Sequence, residues 1–218
     1  MTDPRAPDEV PGRPEDRSTP GLGFDSAYLG TPPWDIGAPQ PAIAELADRG
    51  GFGSRVLDAG CGTGEHALLA ARLGREAVGI DASPRAIALA NNKAAVRGLK
   101  VRFLVWDALD LGSLGEVFDT VIDSGLFHVF DDPARARYVA SLREATAAGG
   151  NVVVLCFSDR VPGDFGPRRV KAAELEASFA DGWRVERIEE VPMSVSFAPD
   201  GIPAWRALIT RVGRTAPA

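Results

Sequence analysis

The sequence is poor in the residues that build metal centres and disulfide frameworks. It contains two cysteines, Cys61 and Cys156, and two histidines, His66 and His128, at spacings that match no zinc-binding motif. These features argue against a disulfide-stabilised secreted scaffold and against a metal site. They favour a protein of a reducing compartment.

Long hydrophobic runs and excess positive charge are also missing. No stretch approaches the roughly 20 apolar residues of a membrane span, and the N-terminus lacks the apolar core of a signal peptide. A formal net charge of −6 argues against a nucleic-acid-binding surface, which usually needs a basic face. We therefore expect a cytoplasmic protein, a monomer or homodimer, that binds neither membranes nor nucleic acids.

The 218 residues are enough for one domain with a sizeable core. Residues 1–23 contain prolines among many charges and few large aliphatic side chains, which predicts a disordered tail. Residues 24–218 then form the domain, and its first part, residues 24–53, includes an aromatic and proline-rich segment that we expect to cover the site.

Apolar strands and amphipathic helices alternate along most of the domain. The strands are predicted at 54–58, 76–80, 101–106, 117–122 and 152–157. Two further strands, 183–197 and 202–212, are joined by a predicted turn at 198–201, which contains Pro-Asp-Gly. This alternation predicts an α/β fold with a doubly wound, mostly parallel sheet and an antiparallel C-terminal hairpin.

A glycine-rich loop follows the first of these strands. Gly62-Thr-Gly64-Glu-His-Ala67 fits the dinucleotide fingerprint G-x-G-x-x-G/A, and Asp81 lies 19 residues after Gly62. Asp58-Ala-Gly60-Cys-Gly62-Thr-Gly64 equally fits a D-x-G-x-G-x-G loop. Asp58 favours the second interpretation, because a carboxylate at the loop suits an ammonium and a sulfonium but would repel a pyrophosphate.

The second pattern resembles the first motif of class I S-adenosylmethionine (SAM)-dependent methyltransferases, and in particular the small-molecule enzymes of the thiopurine and heterocycle type. The resemblance implies a seven-stranded Rossmann-like sheet, SAM as cofactor and methyl transfer to O, N or S of a small molecule. Two alternatives remain open at this point. One is an NAD-dependent oxidoreductase, and the other is a SAM-binding domain without turnover.

Aspartates end four successive predicted strands, at the edge where open parallel sheets bind ligands. The resemblance implies that Asp81 accepts the ribose hydroxyls and that Asp107, beside Ala108, accepts the adenine amino group. The complete implied set of cofactor-binding residues is Trp34, Asp58, Gly60, Gly62, Gly64, Asp81, Ala82, Asp107, Ala108 and Asp123.

The segment 24–40 supplies the expected cover over the cofactor. Trp34 is predicted to pack on SAM, with Asp35 as a candidate catalytic residue and Gln40 near the acceptor. Pro32-Pro33-Trp34 also resembles the [DNS]-P-P-[FYW] motif of DNA amino-methyltransferases, but Thr31 occupies its first position and no apolar strand precedes it.

The stretch after the fourth strand is expected to contact the acceptor. His128 is a candidate general base, and the alternative is a neutral packed imidazole, which we also prefer for His66. Phe127 and Phe130 are predicted to bind the acceptor. Together with Phe157, Phe165 and Trp205 they are candidates for an apolar wall.

Overall fold

The computed structural model describes residues 22–163 and 166–213. Its helices are α1 (Leu22–Ala27), α2 (Pro41–Asp48), α3 (Glu65–Arg72), α4 (Pro84–Arg97), α5 (Asp132–Ala145) and α6 (Ala172–Ser178). Its strands are β1 (Arg55–Ala59), β2 (Glu76–Asp81), β3 (Arg102–Val105), β4 (Phe118–Ser124), β5 (Thr146–Phe157), β6 (Trp183–Val195) and β7 (Ala198–Arg211). Two 3₁₀ turns, Ala108–Leu114 and Phe127–Val129, flank β4.

The seven strands form one sheet in the order β3-β2-β1-β4-β5-β7-β6. The pairs from β3 through β5 are parallel, while β7 runs antiparallel to both β5 and β6. The predicted doubly wound sheet with an antiparallel C-terminal hairpin is therefore confirmed. Strand order reverses between β1 and β4, so the ligand crevice of such a sheet is expected at the carboxyl ends of these two strands.

The core lies on both faces of the sheet. The central run Val152–Leu155 of β5 is fully buried, as expected for a parallel strand covered on both sides. One layer packs β1 and β5 against α2, α3 and α4, and the other packs them against α5 and α6. Helix α4 begins where the sequence predicts, because the Ser83 hydroxyl caps the Ala86 N–H and Pro84 follows.

Three local predictions differ from the structure. The hairpin turn is at residues 196–197, and the Pro-Asp-Gly sequence lies inside β7, where one residue of β6 faces three of β7 and Gly201 adopts φ 76°. This bulge accommodates turn-forming residues within a strand. The fifth strand begins at Thr146 instead of residue 152, so Gly149 lies within it.

The N-terminal boundary also differs slightly from the prediction. Helix α1 begins at Leu22, so residues 22 and 23 of the predicted tail belong to a helix. The remaining tail, residues 1–21, lies outside the described residues, as does Phe165 of the predicted apolar wall. In the described ranges we find no helix with both the length and the apolar character needed to cross a bilayer.

Candidate active site

The glycine-rich loop connects β1 to α3 around a buried carboxylate. Asp58 is 1% exposed and accepts a hydrogen bond from the Ala67 N–H at 3.0 Å. The loop glycines Gly60, Gly62 and Gly64 all have positive φ, between 51° and 87°. Because L side chains rarely adopt such angles, this path of the backbone requires glycine.

Gly62 is one point where the loop closely approaches the cover segment. A side-chain carbon at Gly62 would lie 2.9 Å from the Tyr28 hydroxyl. The Gly62 N–H donates to Oδ2 of Asp81 at 2.9 Å. The missing side chain therefore lets the Tyr28 hydroxyl approach the loop next to a carboxylate that lines the cavity.

Asp81 ends β2 and lines this space. Its Oδ1 accepts the Ser83 N–H at 2.8 Å, in addition to the Gly62 contact of Oδ2. Burial raises the pKa of Asp81, and the two backbone hydrogen bonds oppose that shift. A carboxylate offers about four lone-pair sites, so these two contacts leave capacity for a ligand diol.

The next strand contributes a second acidic residue to the same edge. Asp107 follows β3, and its Oδ1 accepts the Leu109 N–H at 2.9 Å. Ala82 and Ala108 lie beside the two aspartates on the lining of one cavity of about 400 Å³. The cavity is therefore lined by carboxylates from two neighbouring strand ends.

Most of the predicted site residues line this cavity. Those that do are Trp34, Asp35, Gln40, Gly60, Gly62, Asp81, Ala82, Asp107, Ala108, His128 and Phe130. Four others are not among its lining residues: Asp58, Gly64, Asp123 and Phe127. Of the predicted apolar wall, Phe157 also lines the cavity, whereas Trp205 is buried elsewhere and donates its indole N–H to Val170.

Asp58 approaches His66 beneath the loop. The nearest atoms, Nδ1 of His66 and Oδ1 of Asp58, are 3.8 Å apart. Burial raises the pKa of Asp58 to about 7 and lowers that of His66 to about 4. Between about pH 4 and pH 7 both side chains are therefore mainly neutral, so this contact is not an ion pair. Asp58 instead stabilises the loop and the start of α3 through its hydrogen bond with the Ala67 N–H.

Asp123 and Phe127 also stabilise the fold and do not line the cavity. Asp123 is fully buried, and its carboxylate accepts hydrogen bonds from the Leu126 and Phe127 N–H groups and from the Tyr138 hydroxyl. The Phe127 ring is fully buried and stacks on Phe179 at 5.9 Å. Both residues thus fix the loop after β4 without contacting the cavity.

His128 faces the cavity from the 3₁₀ turn after β4. Its Nδ1 accepts the Phe157 N–H at 2.9 Å, and its ring meets the Phe157 ring edge-on at 4.7 Å. Burial lowers the pKa of His128 to about 3, despite an opposing hydrogen bond with the Gly125 backbone. The imidazole is neutral and its accepting nitrogen is occupied, so this geometry does not support the predicted role of His128 as a base.

This assignment predicts how stability depends on pH. The folded pKa of His128 is about 3 and its ordinary value is 6.5, so between them the unfolded chain binds a proton that the folded chain excludes. The contribution of His128 to the free energy of unfolding is therefore fully present above pH 6.5. It is lost as the pH falls, by up to about 1.4 kcal/mol per pH unit. The advantage of wild type over His128→Gln in urea unfolding should grow from about pH 4 to about pH 6.5 and then level off.

The same comparison isolates His128 from other buried groups. Asp58 and Asp123 titrate in both proteins, so their contributions cancel in the difference. Glutamine retains an oxygen that can accept the Phe157 N–H but cannot be protonated in this range. A difference in unfolding free energy that is independent of pH would contradict the assignment.

The cover segment is attached to the glycine loop through Asp35. Its Oδ2 accepts the Thr63 hydroxyl at 2.9 Å, and Lys93 donates to the same hydroxyl oxygen at 2.6 Å while lying 3.6 Å from Oδ1 of Asp35. Trp34 stands beside this attachment and donates its indole N–H to Tyr28 at 3.2 Å. The carboxylate of Asp35 thus holds the segment in place.

Gln40 uses its polar atoms within the protein. Its side-chain amide donates to the Ser194 carbonyl at 2.9 Å and accepts the Ser194 N–H at 2.8 Å. Its backbone N–H donates to Nε2 of His66 at 3.2 Å. The predicted position of Gln40 at the cavity is observed, but its amide already pairs with β6.

Sequence reasoning missed the contribution of β6 to the cavity, and it predicted the N-terminal cover without assigning Phe24 and Tyr28 to the site. Met193, Val195 and Phe197 line it from the hairpin, and Phe24 and Tyr28 line it from the N-terminal side. The aromatic content of the segment 24–40 was a usable signal for the N-terminal pair. Nothing in the local sequence of the hairpin indicates that it lines the cavity, because this depends on the position of β6 in the fold.

The described residues show no candidate metal ligands around this cavity. Across residues 22–163 and 166–213, no group of three or more His, Cys, Asp or Glu side chains is arranged to hold an ion. Cys61 and Cys156 are both buried free thiols, and burial raises the pKa of each.

Comparison with known proteins agrees with this geometry. Residues 56–150 match a family model described as a methyltransferase domain. The chain is 42% identical over 176 residues to the 2-heptyl-1-hydroxyquinolin-4(1H)-one methyltransferase of Mycobacteroides abscessus, which covers 76% of this chain and 78% of that protein.

Solved structures show the same fold. One, described as "Conversion of a Disulfide Bond into a Thioacetal Group during Echinomycin Biosynthesis", is 39% identical with a TM-score of 0.79 and covers 88% of this chain and 93% of that chain. The magnesium protoporphyrin IX methyltransferase of Synechocystis, with bound SAM, is 22% identical with a TM-score of 0.61, covering 79% and 76%.

A relative that is 42% identical over more than three quarters of its length shows common membership of one family. The sheet order, the glycine loop and the aspartates at the strand ends agree with that family's cofactor. The chain belongs to the class I SAM-dependent methyltransferases and transfers a methyl group from SAM to an O, N or S atom of a small-molecule acceptor.

Proposed function

We propose that the cavity binds SAM along the ends of β1, β2 and β3. The residues fit this ligand: Gly60 and Gly62 line the cavity without side chains, so a ligand can approach their backbone, and Asp81 has lone pairs available for the ribose diol. In this proposal Asp107 and Ala108 bind the adenine of SAM, and Gly60 and Gly62 bind its methionine end. Asp58 supports this end from beneath the loop without contacting the ligand.

We further propose that the acceptor is a planar heteroaromatic compound whose hydroxyl group is acidic, with an alkyl substituent. The observation that carries this proposal is the acceptor side of the cavity. There His128 is neutral with its Nδ1 occupied, while the surrounding side chains are apolar, including Phe130, Phe157, Met193 and Val195. Such a wall suits an aromatic ring and an alkyl chain.

When bound, SAM supplies an activated methyl group for in-line displacement. The protein then mainly aligns the acceptor and excludes water. A hydroxyl that is already ionised near neutral pH needs no general base from His128. The N-hydroxyl named in the Mycobacteroides abscessus relative is a hydroxyl of this acidic kind, attached to a planar ring with a heptyl chain.

Turnover of a matched acceptor panel tests this proposal. We expect methylation of 2-heptyl-1-hydroxyquinolin-4(1H)-one, weaker methylation of its 2-methyl homologue and none of the parent compound without the hydroxyl group. Each methylene removed should raise the acceptor KM by about fourfold if it is buried, since a buried methylene contributes about 0.8 kcal/mol. Methylation of simple thiols together with no reaction of the hydroxyquinolinones would overturn the proposal.

The pH dependence of turnover provides an independent check. If the acceptor ionises without help from the enzyme, the pH at which kcat/KM reaches half its plateau should follow the acceptor's own pKa from one compound to the next. A midpoint that stays fixed while the acceptor changes would indicate an enzyme base and would contradict the proposed role of the acceptor.

We also propose that the enzyme works in the cytoplasm, as a monomer or homodimer, without a nucleic-acid partner. The two free buried thiols and the net charge of −6 support this. Cell fractionation and size-exclusion chromatography test it. Detection mainly in a membrane or extracellular fraction would overturn the proposed location.

A further inference from the structure

The segment from Pro33 to Gln40 lies between the glycine loop and the hairpin that carries the acceptor wall. Toward the cofactor side, Asp35 bonds Thr63 of the loop at 2.9 Å. Toward the acceptor side, the Pro33 carbonyl accepts the Ser196 N–H at 2.9 Å. The segment therefore contacts both halves of the cavity.

A single residue, Gln40, contacts both the cofactor side and the acceptor side of the cavity. Its backbone N–H reaches His66 in the first turn of α3, directly after the glycine loop. Its side-chain amide forms a double hydrogen bond with the Ser194 backbone. Ser194 lies between Met193 and Val195, and both of these line the acceptor side of the cavity. Gln40 is 3% exposed, so these bonds are shielded from water.

The backbone of β6 at this point has an irregular pairing with β7. The register shifts between Met193 and Val195, where Ser194 of β6 faces residues 199–201 of β7. A strand end that pairs irregularly on one edge is held less firmly by its sheet. The Gln40 amide bonds Ser194 from the other side, where it acts as an additional partner for the strand.

We propose that Gln40 is a positioning residue that couples the cofactor half of the site to the acceptor wall. When the cofactor orders the glycine loop and the cover segment, the hydrogen bonds of Gln40 also order the end of β6 and the hairpin turn, residues 191–197. This places Met193 and Val195 for the acceptor. The proposal goes beyond the methyl transfer itself, and only its kinetic test depends on the proposed acceptor class.

Hydrogen exchange with S-adenosylhomocysteine tests the coupling without any acceptor. In the wild type, adding the ligand should slow exchange in both residues 33–40 and residues 191–197. In Gln40→Met, which keeps the length and volume of the side chain but loses both hydrogen bonds to Ser194, exchange should slow in residues 33–40 only. Equal slowing of residues 191–197 in both proteins would overturn the proposal, as would no slowing there in the wild type.

Two further variants control for stability. Thr210→Val removes a hydrogen bond to Asn151 at the far end of β7, outside the cavity, and should leave both exchange responses unchanged. Gln40→Glu keeps an oxygen for the Ser194 N–H and loses the donor to the Ser194 carbonyl. It keeps the test available if Gln40→Met does not fold, and we expect a reduced response in residues 191–197.

Kinetics separate this coupling from the choice of acceptor. With an acceptor that is turned over, Gln40→Met should raise the acceptor KM by about tenfold and the SAM KM by less than about twofold, as expected for two lost hydrogen bonds. Equal increases in both constants would overturn the coupling role. If no hydroxyquinolinone is methylated, the proposed acceptor fails, while the exchange experiment still decides the role of Gln40.

Discussion

The Asp81→Ala variant should bind SAM between about tenfold and a hundredfold more weakly than the wild type. Charge-assisted hydrogen bonds to a diol contribute about 1.5–3 kcal/mol, and each 1.4 kcal/mol corresponds to about one decade of affinity. The carboxylate lines the cavity and has lone pairs beyond those used by Gly62 and Ser83. Isothermal titration calorimetry with SAM and S-adenosylhomocysteine measures the effect.

The variant also removes the hydrogen bonds from Gly62 in the loop and from Ser83 at the start of α4, so a second measurement is needed. The 2′,3′-dideoxy analogue of S-adenosylhomocysteine lacks the hydroxyls that Asp81 is proposed to bind. The wild type should prefer the natural compound by at least about tenfold, and Asp81→Ala should lose most of this preference. A preference that survives in the variant would show that Asp81 acts only on the loop.

The sheet and the glycine loop were predictable from sequence because their signals are local. A continuous apolar run predicts a buried strand, and Gly60 to Gly64 follow one directly. The turn of the hairpin was not predictable in this way. Pro-Asp-Gly has the local preference of a turn, but pairing along the full length of β6 and β7 places these residues in a bulge.

The aspartates show a second limit of sequence reasoning. Four of them end predicted strands, and all four accept backbone N–H groups in the structure. Asp81 and Asp107 also face the cavity, whereas Asp58 and Asp123 are buried below it. A strand-end carboxylate can turn toward a ligand or toward the N–H groups of the following loop. Which of these occurs depends on the packing of distant residues, such as Tyr138 against Asp123.

The Trp34→Ala variant should lower kcat/KM for SAM by about tenfold to a hundredfold. This range corresponds to about 1.4–2.8 kcal/mol of lost cofactor contact, since each 1.4 kcal/mol is about one decade, and Trp34 is partly buried on the lining of the cavity. Its ring packs edge-on against Phe24 at 6.1 Å and Tyr28 at 6.4 Å, so its loss should also loosen the part of the cavity wall that approaches Gly62. Steady-state kinetics and calorimetry should show weaker cofactor binding together with reduced turnover.

Two milder variants separate the ring from its hydrogen bond. Trp34→Phe keeps an aromatic ring and loses the N–H that donates to the Tyr28 hydroxyl, while Tyr28→Phe removes the accepting oxygen and keeps Trp34. If packing over the cofactor dominates, both variants should retain most of the SAM affinity that Trp34→Ala loses. Hydrogen exchange in residues 24–40 should slow on addition of SAM in these two variants and in the wild type. Wild-type kinetics in Trp34→Ala, with exchange in residues 24–40 indifferent to SAM, would show that the segment packs on the domain surface without acting as a cover.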